Sequence, residues 1–373
     1  MAKRIFIVTG EHSGDMHAAK VVEYLKSNSQ DVEIEAIGGG ALEAQGVKLF
    51  SNHDKMSAVG LSPKIIFDHF LLGKRLVDYL KNEYKPDLVL LIDYGAFNLN
   101  IAKFLHRAGI KVFYYIPPQV WASRKWRLNT IKKFVDKVLC IFPFEKPMYE
   151  EKGIDTEYCG HPLVSQLPEK ADKVAFFKKH GFDVNKKLVS IFPGSRKFEL
   201  HNLMNTFIES AKELKKKYPD VQFCVSQAPN LKDEVYNKYL KDTEFKVIKG
   251  ENQQLLSVSD SLILASGTVA LEATLYQTPM LIAYRGPWFF YLVYLLVRCI
   301  KRVSLPNIIA DKEIVKELIQ HKLSVKNIVE ETEKLLFDEG YRENHVLELG
   351  KIKAMLSDKV SSEEVAKIII KNL

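Results

Sequence analysis

The sequence contains few cysteines, and none of them is paired by spacing. Cys140, Cys159, Cys224 and Cys299 lie far apart and form no Cys-x-x-Cys motif. This pattern indicates neither a zinc site nor a disulfide framework. It is typical of a protein that stays in the reducing cytoplasm.

Several phosphate- and metal-binding motifs are also missing. The chain has no GxxxxGK[ST] and no GxGxxG, which counts against a P-loop enzyme and a standard dinucleotide-binding protein. It has no Asp-x-Asp and no histidine pair at metal-ligand spacing. We therefore expect no metal and no cofactor. A bound diphosphate would be held by cationic side chains and helix N-termini.

No apolar run is long enough to cross a bilayer. The most apolar stretch, PWFFYLVYLLVRCI at 287–300, is shorter than the roughly 20 residues required and contains Arg298. It either lies on a membrane, pairs with another chain or is buried core. The apolar run after the basic start MAKR is too short for a signal peptide and predicts a first β-strand.

The sequence does have the composition of a folded protein and an excess of positive charge. It is 47% hydrophobic and 27% charged, and its 373 residues are enough for two domains. The net charge of +8 favours an anionic partner: nucleic acid, a phosphorylated metabolite or an anionic membrane surface. Basic and aromatic residues alternate in WASRKWRLNTIKKFVDK (121–137), but no nucleic-acid motif accompanies them, so we expect no nucleic-acid partner.

Short apolar runs alternate with helical segments throughout, which predicts an α/β fold with parallel sheets. The pattern restarts at KLVSIFPGS (187–195). We predict a first domain at 1–168, a second at 169–345, and a helix near 350–373 that packs back on the first. Each would be a doubly wound Rossmann-like domain. Two such domains facing each other form a cleft lined by the carboxyl ends of their strands, where ligands bind.

Two loops of the first half follow predicted strands. GEHSGD (10–15) opens a helix that Ser13 or Asp15 can cap, and Gly14 lets a substrate approach the backbone, although capping alone also explains these residues. Asp93 directly follows the apolar run LLI. A carboxylate there is either bonded to nearby backbone or is a base whose surroundings tune its pKa. Its position at the end of a strand favours the base.

Two turns of the second half have the character of anion sites. FPGSRKFE (192–199) joins a Gly-Ser turn to a helix, with Arg196 as a positive fork. The alternative is an ordinary turn with a solvated arginine. ASGTVALEA (265–273) places Glu272 in the first turns of a helix. A carboxylate there either complements the helix dipole or accepts hydrogen bonds from the ribose hydroxyls of a nucleotide.

The segment SPKIIFDHFLLGKRLVDYL (62–80) carries more apolar residues than one helical stripe uses, beside Lys64, Lys74 and Arg75. This composition predicts a membrane contact or a site for acyl chains. A helix packed between the sheet and a neighbour is the alternative. The predicted patch consists of Ile65, Ile66, Phe67, Phe70, Leu71 and Leu72.

Motifs spread over residues 4–320 resemble those of lipid-A-disaccharide synthase. They are, in order, GEHSGD, IGGGALEAQG, PPQVWAS, FPFEKPMYEEKGI, GHPLV, PGSRKFE, ASGTVALEATLYQTPM and VSLPNIIA. The resemblance implies a metal-independent, inverting glycosyltransferase of the GT-B fold. Its substrates would be UDP-2,3-diacylglucosamine and 2,3-diacylglucosamine 1-phosphate (lipid X), and its products UDP and the β(1→6) disaccharide 1-phosphate of lipid A. It also implies a peripheral protein at the cytoplasmic face of the inner membrane of a Gram-negative bacterium, and leaves open whether two copies form a homodimer.

The same resemblance assigns residues to roles. Asp93 would be the general base, and the first domain would receive the acylated acceptor. The predicted acceptor-binding residues are Ser13, Gly14, Asp15 and Gln119. The predicted nucleotide-binding residues are Gly194, Ser195, Arg196, Glu199, Ser266, Gly267, Thr268, Glu272 and Asn307.

The chain departs from the family pattern at three positions. The family commonly has a small residue where this chain has His12, and often a tryptophan where it has Ser123. Many members carry an acidic residue three positions after the matched aspartate, where this chain has Ala96. Two alternative functions remain: a UDP-sugar 2-epimerase, which shares the two-domain fold, and a non-enzymatic module that binds acidic lipids at a membrane surface.

Overall fold

The computed structural model describes residues 2–28, 31–52, 63–287 and 302–373, with side chains described from residue 69 onward in the helix that begins at Pro63. The side chains of Ile65, Ile66 and Phe67, and the apolar run 288–300, lie outside the described residues. The chain divides into two compact units. Unit 1 comprises Met1–Ser165 and Leu356–Leu373, and unit 2 comprises Gln166–Met355.

Unit 1 is built on a parallel sheet in the order β3-β2-β1-β4-β5-β6-β7. The strands are β1 Lys3–Val8, β2 Val32–Gly38, β3 Lys48–Asn52, β4 Leu88–Ile92, β5 Val112–Tyr115, β6 Lys137–Cys140 and β7 Thr156–Tyr158. The helices are α1 His12–Asn28, α2 Gly40–Ala44, α3 Pro63–Tyr79, α4 Gly95–Arg107, α5 Arg127–Phe134 and α6 Glu145–Glu150. A π-helical turn, Leu80–Tyr84, and a 3₁₀ turn, Pro162–Ser165, complete the described elements.

The central strand of this sheet is apolar because helices cover both of its faces. All five residues of β4, Leu88–Ile92, are buried, as expected for a strand inside a parallel sheet. Phe6 and Leu91 belong to the core on one face, together with Leu105 of α4. Because helices cover the faces of the sheet, polar loops emerge at the carboxyl ends of the strands.

Unit 2 has a second parallel sheet, in the order β10-β9-β8-β11-β12-β13. The strands are β8 Lys187–Phe192, β9 Val221–Gln227, β10 Lys246–Lys249, β11 Ser261–Ala265, β12 Met280–Tyr284 and β13 Lys316–Ile319. The helices are α7 Lys173–His180, α8 Lys197–Lys217, α9 Asp233–Leu240, α10 Asn252–Val258, α11 Val269–Tyr276, α12 Leu305–Ala310, α13 Val325–Phe337 and α14 Glu339–Leu356. A 3₁₀ turn follows β13 at Gln320–Lys322. The two sheets confirm the predicted class of two doubly wound α/β domains.

The last helix, α15 at Ser361–Asn372, belongs to unit 1. It packs along α1, and the hydroxyl groups of Tyr115 and Ser361 are hydrogen bonded at 2.7 Å. Unit 2 ends at Met355, later than the expected 345, because α14 is one continuous helix whose Leu349 is part of the unit 2 core. Among the described helices, none combines the length and apolarity needed to cross a membrane.

Candidate active site

Asp93 lies immediately beyond β4, in a turn with unusual backbone geometry. Asp93 and Tyr94 both adopt the left-handed conformation, with φ of 49° and 48°, and α4 begins at the next residue. Each such residue costs on the order of 1 kcal/mol or more, so the surrounding structure must hold the turn in place. Strain of this kind is concentrated at functional sites.

Two buried side chains hold this turn. Asn98 Nδ2 donates to the carbonyl oxygens of Ile92 (3.1 Å) and Asp93 (2.8 Å), and the Tyr114 hydroxyl also donates to the Asp93 carbonyl (2.8 Å). Asn98 and Tyr114 are fully buried. Sequence reasoning missed both residues, because their hydrogen bonds depend on the left-handed turn rather than on a strand or helix pattern.

The surroundings of Asp93 favour a base of increased strength. Burial raises the pKa of the Asp93 carboxyl, and the negative charge of Glu11 raises it further, while a hydrogen bond from the Tyr94 backbone lowers it. A carboxylate that is partly desolvated and forms no described ion pair can take a proton from a hydroxyl group more readily than one in water. The role of Asp93 as a general base stays a prediction, and the raised pKa is compatible with it.

The loop after β1 packs tightly against this turn. A Cβ atom on Gly10 would lie 2.1 Å from Tyr94 Cγ, so only glycine leaves room for the Tyr94 ring. Gly14 is buried in the first turn of α1. Ser13 and Gln119 are exposed and can reach a ligand.

Asp15 has a structural role instead of the predicted contact with the acceptor. Its side chain is completely buried, and its two oxygens accept hydrogen bonds from the backbone of Gly39 (2.7 Å) and Ala41 (2.9 Å). These bonds tie α1 to the first turn of α2. The carboxylate therefore positions the backbone around the site.

In unit 2, the Pro-Gly-Ser turn after β8 is occupied by a side chain of its own helix. Glu199 Oε2 accepts hydrogen bonds from the backbone N–H groups of Ser195 (2.8 Å) and Arg196 (3.1 Å). Gly194 has φ of 102°, and a Cβ atom there would lie 2.2 Å from Glu199 Oε2. Glu199 thus takes the N–H groups that were predicted to hold a diphosphate, and its role is to brace the turn.

The guanidinium group of Arg196 remains accessible. Its side chain is 70% exposed, and its contact with Glu199 is long, with 3.5 Å between Nη1 and Oε1. Because the Arg196 end of the pair is solvated and the separation is long, the pair contributes about 1 kcal/mol at most. The side chain can therefore turn toward an anionic ligand at little cost.

The turn after β11 keeps its backbone donors free. Gly267 and Thr268 are exposed, and their N–H groups, with that of Val269 at the start of α11, have no acceptor among the residues that the structure describes. Ser266 is half-buried, and its N–H donates to the Ala283 carbonyl (3.0 Å). Of the two turns, this one has the free backbone N–H groups that binding of an anion requires.

Glu272, in the first turn of α11, is a half-buried carboxylate. Burial raises its pKa, and within the described chain no side chain or backbone group is bonded to it. Desolvating a carboxylate without a partner costs free energy. An unpaired acid of this kind beside free N–H groups fits a ligand that presents hydroxyl groups next to negative charge.

Asn307 is not available to a nucleotide, contrary to the prediction. Its Nδ2 group donates to the Val315 carbonyl (2.8 Å) and to Glu317 Oε1 (2.9 Å). Its Oδ1 atom accepts from the backbone of Ile314 (2.8 Å) and Val315 (2.9 Å). Both donors and both acceptor positions of the completely buried amide are thus used within the protein.

Replacing this amide is expected to affect stability. Asn307→Ala leaves two buried N–H groups and a carbonyl without partners, so we expect a loss of about 2–4 kcal/mol in the free energy of unfolding, measured by urea denaturation. Asn237→Ala, at an exposed helical position in the same unit, should change it by less than about 0.5 kcal/mol. An Asn307→Ala protein of normal stability but weakened UDP binding would restore Asn307 to the nucleotide site.

The described part of the predicted apolar patch is only partly accessible. Phe70 is 59% exposed and Leu71 42% exposed, whereas Leu72 packs against the core of unit 1. Lys74 and Arg75 are exposed on the next turn of α3. Of the predicted patch, Phe70 and Leu71 are thus the exposed members among the described side chains.

A lipid-A-disaccharide synthetase family model matches residues 5–370. The chain belongs to the lipid-A-disaccharide synthase family. Members from Coxiella burnetii and Geobacter metallireducens are 33% and 34% identical to it, over 98% of both chains in the first case and 100% of this chain and 97% of the relative in the second. The family predicted from the sequence motifs is confirmed.

Solved structures of other proteins, with lower sequence identity to this chain, share its fold. UDP-GlcNAc 2-epimerase from Neisseria meningitidis, bound to UDP-GlcNAc, has a TM-score of 0.64 at 16% identity and covers 99% of this chain and 98% of its own. The glycosyltransferase of kitacinnamycin has a TM-score of 0.66 at 13% identity and covers both chains fully. The predicted GT-B fold class is therefore confirmed, and these likenesses concern the fold alone.

Proposed function

We propose that this protein transfers a diacylglucosamine unit from UDP-2,3-diacylglucosamine to lipid X, giving the lipid A disaccharide 1-phosphate and UDP. The observation that carries the proposal is the family match over residues 5–370. Asp93 supports it, since a strained and partly desolvated carboxylate at the end of β4 suits proton abstraction.

In the proposed reaction, the Asp93 carboxylate takes the proton of the acceptor's 6-hydroxyl group. That oxygen attacks the anomeric carbon of the donor sugar from the face opposite UDP. The bond from that carbon to the diphosphate oxygen breaks, and UDP leaves with the electron pair. The configuration is inverted, and the new bond is a β(1→6) linkage.

The leaving diphosphate would be stabilised by groups of unit 2. Free N–H groups at Gly267, Thr268 and Val269 and the guanidinium group of Arg196 can meet its growing charge. Glu272 would accept hydrogen bonds from the ribose hydroxyls. The proposal needs no metal or cofactor.

The direct test is incubation with both acylated glucosamine substrates, followed by detection of disaccharide 1-phosphate and UDP. Absence of disaccharide with an intact, folded protein would contradict the proposal. Conversion of UDP-GlcNAc to UDP-ManNAc would support the 2-epimerase alternative. Binding to liposomes without any release of UDP would support a lipid-binding module.

Arg196→Ala is expected to weaken UDP binding about tenfold and to slow transfer, because one charge-assisted contact to the diphosphate is lost. Isothermal titration with UDP measures the first effect and initial rates the second. The melting temperature should not change, since the contact with Glu199 is long and the Arg196 side chain is solvated. Unchanged UDP affinity would identify the segment 193–196 as an ordinary turn with a solvated arginine.

We also propose that the protein works at the cytoplasmic face of the inner membrane, because its substrates are lipids. Phe70 and Leu71, with Lys74 and Arg75, would contact an anionic lipid surface. Co-sedimentation with vesicles that contain anionic lipid, compared with neutral vesicles, tests this contact. Gradient sedimentation with and without detergent separates a homodimer from a lipid-dependent association.

A further inference from the structure

Arg127 lies beside the turn of Asp93. Arg127 is the first residue of α5, and its Nη1 atom lies 3.6 Å from the position that a Cβ atom on Gly95 would occupy. Gly95 follows the two left-handed residues of the turn and begins α4. The guanidinium group therefore lies close to the strained backbone that carries the candidate base.

Arg124 is held next to Arg127 by a backbone turn. The Arg127 N–H group donates to the Arg124 carbonyl (2.9 Å), and Arg124 has φ of 58°. A left-handed conformation at a non-glycine residue costs free energy that the fold must offset. The positive charge of Arg124 and the burial of Arg127 both lower the pKa of Arg127, with burial the larger cause.

These two cations lack an anionic partner. In the described part of the chain, neither guanidinium group forms an ion pair or a side-chain hydrogen bond, and that of Arg127 lies over the ring of Trp126, with its Cζ 5.7 Å from the ring centroid. By contrast, two nearby lysines of unit 1 are paired: Lys137 with Asp155 (2.6 Å) and Lys146 with Glu157 (3.0 Å). Two neighbouring like charges repel each other, and an anionic ligand bound to both would remove this repulsion.

We propose that Arg124 and Arg127 bind the phosphate group of the acceptor sugar. This inference rests on the proposed function and adds the residues that recognise the acceptor. A phosphate monoester carries close to two negative charges, and guanidinium groups bind its oxygens in pairs. In a glucosamine 1-phosphate, the phosphate is attached to C1, and the 6-hydroxyl is on C6, which is attached to C5. C1 and C5 are the two carbons bonded to the ring oxygen. A ligand with its hydroxyl at Asp93 can therefore place its phosphate at the neighbouring arginines.

The geometry also separates the two roles. No ion pair joins Asp93 to Arg127 in the described structure. The charge of the base is therefore not neutralised, and the guanidinium group remains available to a ligand. Trp126 is 65% exposed and contacts the Arg127 side chain, which limits the orientations of the guanidinium group. The Arg127 end of the proposed site is thus partly oriented before the ligand binds.

The experiment compares two acceptors, 2,3-diacylglucosamine 1-phosphate and the same sugar without its phosphate, in detergent micelles at saturating donor. For the unmodified enzyme, we expect kcat/KM to favour the phosphorylated acceptor. Arg127→Gln should lower kcat/KM for that acceptor about 10- to 100-fold, mainly through KM, and leave the other acceptor nearly unchanged. Arg124→Gln should act in the same direction, and Arg127→Lys should recover part of the loss because it restores the charge without the fork.

Lys133→Gln is the matched control, since it removes one positive charge from the far end of α5. It should leave the preference between the two acceptors unchanged. Thermal melting of each variant separates a folding defect from a binding defect.

Three results would overturn the inference. An Arg127→Gln enzyme that keeps the full preference for the phosphorylated acceptor contradicts it directly. A loss of UDP affinity without loss of acceptor preference would place the arginines at the donor diphosphate. An equal loss for both acceptors, together with weaker binding to anionic vesicles, would place them at lipid headgroups. Failure of the unmodified enzyme to form any disaccharide would instead contradict the proposed function.

Discussion

Asp93→Asn is expected to lower turnover by about 10²- to 10⁴-fold, the usual contribution of a general base, while UDP affinity stays unchanged. The amide keeps the shape of the side chain but cannot accept the proton of the acceptor hydroxyl. The measurement is the initial rate of disaccharide formation with both substrates saturating, with UDP titration alongside. Asp78→Asn, at an exposed position on α3, is the matched control and should retain normal turnover. Normal turnover in Asp93→Asn would mean that another group takes the proton.

The raised pKa of Asp93 gives this prediction a pH dependence. The base acts when it is deprotonated, so kcat/KM should fall as the pH decreases through the pKa of Asp93. Glu11→Gln removes a negative charge that raises that pKa, so the acidic limb of the profile should move to lower pH. A limb that moves to higher pH, or does not move, would contradict the assignment of this limb to Asp93.

Glu272→Gln is expected to weaken UDP binding about 10- to 100-fold, because hydrogen bonds from the ribose hydroxyls to a carboxylate are stronger than those to a neutral amide. The measurement is titration with UDP and with uracil, which has no ribose. Glu272→Gln should change the affinity for UDP and leave the affinity for uracil unchanged. Glu251→Gln is the matched control, since this half-buried carboxylate of the same unit is already paired with Lys179 (2.8 Å). Equal UDP affinity in Glu272→Gln and the unmodified protein would contradict the ribose assignment.

The same substitution should stabilise the protein without its ligand. The pKa of Glu272 is raised by burial, so the folded state binds this proton more tightly than the unfolded state does. Stability is therefore lost as the pH rises from the unfolded pKa through the raised, folded one. At neutral pH the unmodified protein carries this cost and Glu272→Gln does not, so its melting temperature should be higher. A lower melting temperature would indicate a bonding partner for Glu272 and a structural role.

The sequence predicts the scaffold well because the scaffold depends on local composition. Apolar runs such as residues 88–92 predict buried parallel strands, and the positions of Asp93 and Glu272 after strands follow from the same pattern. Which polar residues face a ligand is harder to predict. Glu199 and Asn307 match a nucleotide-binding motif, yet the structure uses both to bond nearby backbone.

Arg127 shows the opposite case. Its charge was noted within a basic and aromatic segment, but the sequence does not indicate that it lies beside Gly95 or that it lacks a carboxylate partner. Both facts depend on the packing of α5 against α4, which no local pattern encodes. The only sequence signal for this proposed site is a pair of arginines three residues apart at the start of a helix.

The return of α15 to unit 1 has a consequence for synthesis of the chain. Val365, Ala366 and Ile369 of this helix are buried, so unit 1 exposes apolar surface until α15 leaves the ribosome. Residues 166–355, which form unit 2, are made in between. At about 5–20 residues per second this takes roughly 10–40 s. During that interval the nascent protein offers chaperones an open face on α1, and release of a chain truncated before residue 356 would leave that face uncovered permanently.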